Sequence, residues 1–223
     1  MEFTVATAAT GQRVTVCRVD LTKDALQLFL RDDNGKPLKS LEGVSHFVET
    51  KGHKLVFAMN AGMYEADLSP VGLFIANRRQ IAPLNLRNAF GNFYLKPNGV
   101  FLISDLRAHI IESSEYPAFE GLATLATQSG PLLVNHGNIH PAFKPNSASR
   151  LYRNGVGISS AGIALFAITE APMNLYEFAV FFRDVLHCPD ALFFDGTVSS
   201  LYAPELKRND KHIDLGPMIG VTE

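Results

Sequence analysis

Apolar and polar positions alternate along much of this chain, with glycine-rich turns between the runs. Val14, Val16 and Val19 stand among polar residues, and Leu26, Leu28 and Leu30 alternate cleanly. A period of two predicts half-buried strands, here two, joined around Thr22-Lys23-Asp24. Asp32-Asp33-Asn34-Gly35 is turn chemistry. Ser40 is placed to cap a short helix with Leu41, Val44, Phe47 and Val48 on one face, ended by Lys51-Gly52. Residues 55–59 are uniformly apolar and predict a buried strand, which runs into Asn60-Ala61-Gly62. Residues 70–76 predict a strand paired with 81–84. Residues 91–95 predict one paired with 100–103, because Pro97-Asn98-Gly99 between apolar runs is a strong hairpin signal.

The second half reads the same way. Residues 117–126 predict a helix, with Phe119, Leu122, Ala123 and Ala126 on one side. Residues 132–134 predict a strand, and 156–159 with 163–168 a hairpin. Asn174, with Glu177 three residues on, forms a capping-box pattern opening a helix through Leu175, Phe178, Ala179, Phe182, Val185 and Leu186. Cys188-Pro189 stops it. Residues 191–194 predict one more buried strand, ending in Asp195-Gly196-Thr197, and residues 215–219 a last strand at a sheet edge. Many hairpins with about three helices, and no linker or repeat, predict a single α+β domain over residues 1–223, largely antiparallel or mixed in its sheet.

Composition changes this picture little. With 47% hydrophobic and 19% charged residues the chain can build a substantial core. A net charge of −2 without a basic run recommends neither nucleic acid nor an anionic membrane as partner. No apolar run is long enough to span a bilayer. Two cysteines, Cys17 and Cys188, do not make a zinc cluster, and their pairing is open. The first residues lack the basic and apolar regions of a signal peptide. A cytoplasmic protein is expected, or a periplasmic or secreted one if a signal peptide has been removed. Oligomeric state is not legible.

The candidate chemistry gathers where predicted strands leave the core. Asp195 ends one such strand and Asn60 another, each followed by glycine. Asp-Gly and Asn-x-Gly are also ordinary turn sequences. Gly62, Ser129, Gly130, Gly196, Thr197 and Ser199 bring backbone N–H groups and hydroxyls, and Arg153 a guanidinium. Such ingredients suit an anionic, hydroxyl-rich ligand, since turn N–H groups form anion nests and arginine matches phosphate oxygens. His136 and His140 are four apart, but on a turn and strand rather than a helix, so no metal is expected. Glu65, Asp67, Glu170 and Glu205 are each candidates for a second carboxylate. Dinucleotide, P-loop and nucleophile-elbow motifs are missing.

In order along the chain stand Asn60-Ala61-Gly62-Met63-Tyr64, Ser69-Pro70-Val71-Gly72-Leu73, Gly91-Asn92-Phe93 with Asn98-Gly99-Val100-Phe101, Gln128-Ser129-Gly130-Pro131, Arg153-Asn154-Gly155-Val156-Gly157, and Asp195-Gly196 with Ser199-Ser200-Leu201-Tyr202. This set resembles the phosphodiester glycosidase domain family, and its compact bacterial members in particular, from about residue 55 to the end. The resemblance implies hydrolysis of a sugar-1-phosphodiester at the glycosidic C–O bond, giving free sugar and a phosphomonoester. It places Asp195, Arg153 and Asn60 on the family's motif positions as catalytic residues, with Gly62, Ser129, Gly130, Gly196, Thr197 and Ser199 binding substrate. A small-molecule or glycan phosphodiester is the partner it implies, and no cofactor. Family members can carry a structural cation, for which this sequence offers no dense acidic loop. Thr197 departs from the glycine many members have there. Two rival functions stand beside this one: a non-catalytic glycan- or anion-binding module, and a metal-dependent phosphodiesterase cutting P–O.

Overall fold

The computed structural model describes residues 1–211 and 213–223. Its strands form three sheets, and every pairing among the described strands is antiparallel. In chain order the strands are β1 (Glu2–Thr7), β2 (Arg13–Val19), β3 (Ala25–Phe29), β4 (Leu55–Asn60), β5 (Phe74–Ala76), β6 (Arg79–Ala82), β7 (Gly99–Ser104), β8 (Arg107–Glu112), β9 (Leu125–Ser129), β10 (Leu132–Asn135), β11 (Asn138–Ile139), β12 (Asn154–Ile158), β13 (Ala164–Thr169), β14 (Asp190–Asp195), β15 (Leu201–Ala203), β16 (Arg208–Asn209) and β17 (Met218–Thr222). The seven-stranded sheet runs β1-β2-β13-β12-β14-β10-β11. One five-stranded sheet runs β16-β15-β4-β17-β3 and the other β6-β5-β9-β7-β8. Helix α1 (Leu41–Thr50) and helix α2 (Leu175–Val180), the latter continued by a π-helical turn to Val185, complete the α+β fold.

The three sheets share one core. Phe166 of β13 meets Phe57 of β4 at 5.3 Å and Phe101 of β7 at 5.8 Å between ring centroids, so one ring from each sheet closes the centre. Strand β14 is apolar from Ala191 to Phe194 because both of its faces are covered there. Leu192 and Phe194 face this core, and Ala191 and Phe193 pack with Phe178, Phe181 and Phe182 beneath α2. Gly157 of β12 makes that contact possible, since a Cβ there would stand 2.6 Å from Phe182 and 2.7 Å from Cys188. Helix α1 packs Leu41, Val44 and Val48 on Leu55, Ala58 and Met218 of the second sheet. Its predicted cap holds, with Ser40 Oγ accepting from Gly43 N at 2.9 Å.

Three local expectations fail. Residues 117–126 are not a helix: a 3-10 segment covers Ser113–Phe119 with Pro117 inside it, Gly121 turns left-handed at φ 78°, and β9 starts at Leu125 between β5 and β7. Sheet pairing overrides the helical spacing there, and Leu122 is left exposed. Residues 91–95 are not a strand either. A 3-10 turn spans Asn92–Tyr94, held by Asn98 Nδ2 donating to Phe93 O at 2.7 Å. Strand β7 instead pairs with β8 across Asp105-Leu106, both left-handed. The last strand is interior, between β4 and β3, and not an edge. Strand β1 and strand β8 carry no clean apolar alternation and were not expected. The two cysteines are buried free thiols, and burial pushes Cys188 up to about 12, which makes it unreactive. Among the described residues no helix is long and apolar enough to cross a membrane.

Candidate active site

The ends of strands from all three sheets converge beside Asp195. On one flank, β12 begins at Asn154, paired with Asp195 across a bulge. On the other, Ser129 at the end of β9 donates from Oγ to Phe194 O at 3.1 Å. From the second sheet comes Asn60, the last residue of β4.

Two kinds of polar contact meet here. The amides bond to each other. Asn154 Nδ2 donates to Asn60 O (2.8 Å) and Asn60 Oδ1 (3.0 Å), and Asn60 Nδ2 donates back to Asn154 Oδ1 (3.3 Å). Ser200 N donates to Asn60 Oδ1 (3.0 Å), and Ser199 Oγ lies 3.2 Å from Asn154 Oδ1. Both asparagines are fully buried. Asn60, Ser129 and Gly130 therefore stand behind the site as struts. Gly130 packs against Asn98 and Phe93, and Gly62, at φ 152°, against Thr127.

The charged pair is different. Asp195 Oδ1 accepts from Gly196 N and Thr197 N at 2.6 Å each and Val198 N at 3.3 Å. No described residue donates to Oδ2. Burial pushes the Asp195 carboxyl above the usual carboxylate range, against the opposing pull of those N–H groups and Arg153. Arg153 is 1% exposed, yet no carboxylate of the described residues is within ion-pair distance. Its Nε donates to Met173 O (3.0 Å), its Nη2 to Ser149 O (2.9 Å), and its guanidinium stacks over Phe193 at 5.4 Å. Burial lowers its pKa to about 10, partly opposed by Asp195. Nη1 faces Gly196, where a Cβ would stand 2.5 Å from it. Glycine at 196 serves that approach rather than a left-handed turn, since a side chain there would displace the guanidinium and its φ is not left-handed. Thr197 likewise has an unstrained φ, so the departure from glycine has no backbone penalty. The fully enclosed side-chain polar atoms without a partner, among the described residues, are the Tyr116 hydroxyl and His140 Nε2. Asp195 Oδ2 and Arg153 Nη1, also unpartnered, therefore keep contact with solvent.

A cleft of 690 Å³ opens over Gly196, Thr197 and Ser199, with Tyr152, Arg208 and Asp210 among its walls. Asp195 and Arg153 do not themselves line the cleft; they reach it through Gly196, which Arg153 Nη1 faces and whose N–H Asp195 holds. A 560 Å³ groove lined by Arg31, Asp33 and Arg79 involves none of the candidate residues. The proposed second carboxylates are elsewhere or engaged. Glu65 is exposed in a turn, and Glu170 is held by Arg208 and by Thr15 Oγ1 at 2.6 Å. Asp67 holds Ser69, and Glu205 is exposed in a short 3-10 turn. Asp210 reaches the cleft but is tied to Arg208 and to Leu201 N. Among the described residues no three metal-ligating side chains cluster. Sequence reasoning missed Asn154 as the hub of the amides, and Ser149, Met173 and Asn174 as the seat of Arg153. Asn174 caps α2 and also donates to Pro145 O at 2.9 Å, which fixes the loop carrying Ser149. The capping-box pattern was visible; its second task was not.

The comparisons lead to the family that the motifs resemble. The family model described as phosphodiester glycosidase matches residues 53–221. The uncharacterized protein YigE of Escherichia coli K12 is 33% identical over 179 residues, covering 80% of this chain and 70% of its own. Among solved structures, the catalytic domain of zebrafish N-acetylglucosamine-1-phosphodiester α-N-acetylglucosaminidase, auto-inhibited by its pro-peptide, superposes with a TM-score of 0.65 at 14% identity, over 99% of this chain and 81% of that one. A hypothetical protein from Synechocystis gives 0.65 at 13% identity, over 99% and 61%. These likenesses show a shared fold. With its family model matched over most of its length, the chain belongs to the phosphodiester glycosidase family.

Proposed function

We propose that the protein hydrolyses a sugar-1-phosphodiester at the C1–O bond, releasing a free sugar and a phosphomonoester. The observation that carries this reading is a buried guanidinium without a carboxylate partner beside a carboxylate with one free oxygen. A buried cation left so is costly, and an anionic ligand at Nη1 relieves the cost. The phosphate of the diester is that ligand. The bond to C1 breaks with its electrons passing to the phosphate oxygen, which Arg153 stabilises as charge develops. Because the leaving group carries its own charge, the demand for a general acid is small. Asp195, pinned at Oδ1 by three N–H groups, presents Oδ2 as base toward water or as nucleophile toward C1. Water supplies hydroxyl to C1 and a proton to the phosphate. Gly196, Thr197 and Ser199 edge the cleft where substrate enters, while Asn60, Gly62, Ser129 and Gly130 hold the strand ends in place.

The test is sugar release from a panel of sugar-1-phosphodiesters by the wild type and Asp195→Asn. The amide keeps Oδ1 as an acceptor but loses the base, so turnover falls about a thousandfold while the fold persists. Wild-type turnover in the folded variant would overturn the assignment. Oxygen-18 from water belongs on the sugar in this reaction; label on the phosphate instead would identify P–O cleavage.

A further inference from the structure

The cleft holds more than the phosphate seat accounts for. At 690 Å³ it has the size of a site that buries a ligand with two parts. One wall is Leu151, Tyr152 and Pro172. Leu151 is 43% and Tyr152 53% exposed, both large apolar side chains facing solvent. The wall is rigid. Leu151 exchanges backbone hydrogen bonds with Met173 (3.2 and 2.9 Å), Tyr152 O accepts from Ser199 Oγ (3.1 Å), and the next residue is the fully seated Arg153. On a fixed backbone a tyrosine has only two side-chain torsions to lose when a ligand stacks on it.

The charges around this wall are already paired. Arg150 Nη1 donates to Glu177 Oε1 at 2.8 Å. Arg208 makes a fork with Asp210, Nε at 3.0 Å to each oxygen, and its Nη1 reaches Glu170. The outer cleft thus offers apolar surface ringed by neutralised ion pairs, in contrast to the unpaired Arg153 beneath.

We infer that the Leu151-Tyr152-Pro172 wall is a subsite for an apolar, ring-bearing ester group on the far side of the substrate's phosphate, with Tyr152 its specificity-determining residue. This inference rests on the phosphate reading of Arg153. Gly196 ties the two halves together: Arg153 Nη1 faces it, and it lines the same cleft as Leu151, Tyr152 and Pro172.

The test separates the two readings by using fragments. Benzyl phosphate and methyl phosphate carry nearly the same anion and differ in the ring. Calorimetric titration of the wild-type protein is expected to give benzyl phosphate about tenfold tighter binding. Tyr152→Phe keeps that preference, and Tyr152→Ala reduces it to about threefold or less, with circular dichroism reporting the fold. Equal affinity for the two phosphates in the wild type overturns the subsite alone. Failure of both phosphates to bind overturns the phosphate seat and the subsite with it. A full benzyl preference persisting in folded Tyr152→Ala overturns the role of Tyr152. Among hydrolysed diesters of one sugar, the benzyl ester then has the higher kcat/KM than the methyl or a glycosyl ester.

Discussion

Two buried polar clusters lie side by side at the junction of the three sheets, and they are built on opposite terms. In the amide cluster of Asn60, Asn154, Ser199 and Ser200, each amide oxygen and nitrogen has a partner within the cluster and nothing is charged. In the neighbouring pair, Asp195 and Arg153 are charged groups whose burial disfavours their charge, and each keeps an unpartnered atom open to solvent. Satisfied buried polar groups fix geometry, while unsatisfied ones store free energy that a ligand can release. In the function proposed above, the first cluster is scaffold and the second is site. The difference explains why Asn60, which looks as functional as Asp195 in the sequence, has no free atom to offer a substrate.

The comparison breaks most visibly at Asp195, where the amide variant loses about a thousandfold in turnover. The same variant is expected to melt at a higher temperature near neutral pH. The folded-state pKa of Asp195 is raised, so its contribution to stability is full below the ordinary aspartate value and lost as pH rises through the raised one. Scanning calorimetry against pH checks this, since the slope in that window shrinks in Asp195→Asn. The acid limb of the wild-type kcat/KM profile should likewise stand above the ordinary aspartate range.

At Arg153 a lysine keeps the charge but not the fork that reaches Met173, Ser149 and Gly196 together. Turnover should fall about a hundredfold, read as released sugar, with phosphate binding weakened in calorimetry. The scaffold cluster answers in a different currency. Asn154→Ala strands the Asn60 amide and should cost about 3 kcal/mol in denaturant unfolding. A similarly large loss at Arg153, with phosphate binding intact, would erase the distinction between the clusters. The smallest effect belongs to Thr197→Gly. It keeps the N–H given to Asp195 and strains nothing, so loosening the unfolded chain costs about 0.5–1 kcal/mol in the same assay.

Local pattern carried much of the fold. The strand ending in Asp195, the capped helices after Ser40 and Asn174 and the hairpin of β12 and β13 follow from spacing and turn chemistry over a few residues. Pattern failed where a distant partner decided. Residues 117–126 satisfy helical spacing, yet Phe74 and Phe101 both pair with Thr127 and draw the end of that run, from Leu125 on, into a sheet. The last strand looked like an edge because nothing in its own residues records that β3 and β4 flank it.

The same division runs through the site. The sequence by itself determined that a carboxylate, an amide, an arginine and several glycines stand at the ends of buried strands, and the order of those motifs determined the family. Only the tertiary structure decided which of them is spent and which is free. Hydrogen-bond saturation depends on neighbours far apart in the chain: Asn60 finds Asn154, and Arg153 finds Met173 and Ser149 but no carboxylate. Periodicity encodes the faces of an element; the balance of buried charge exists only once the elements have met.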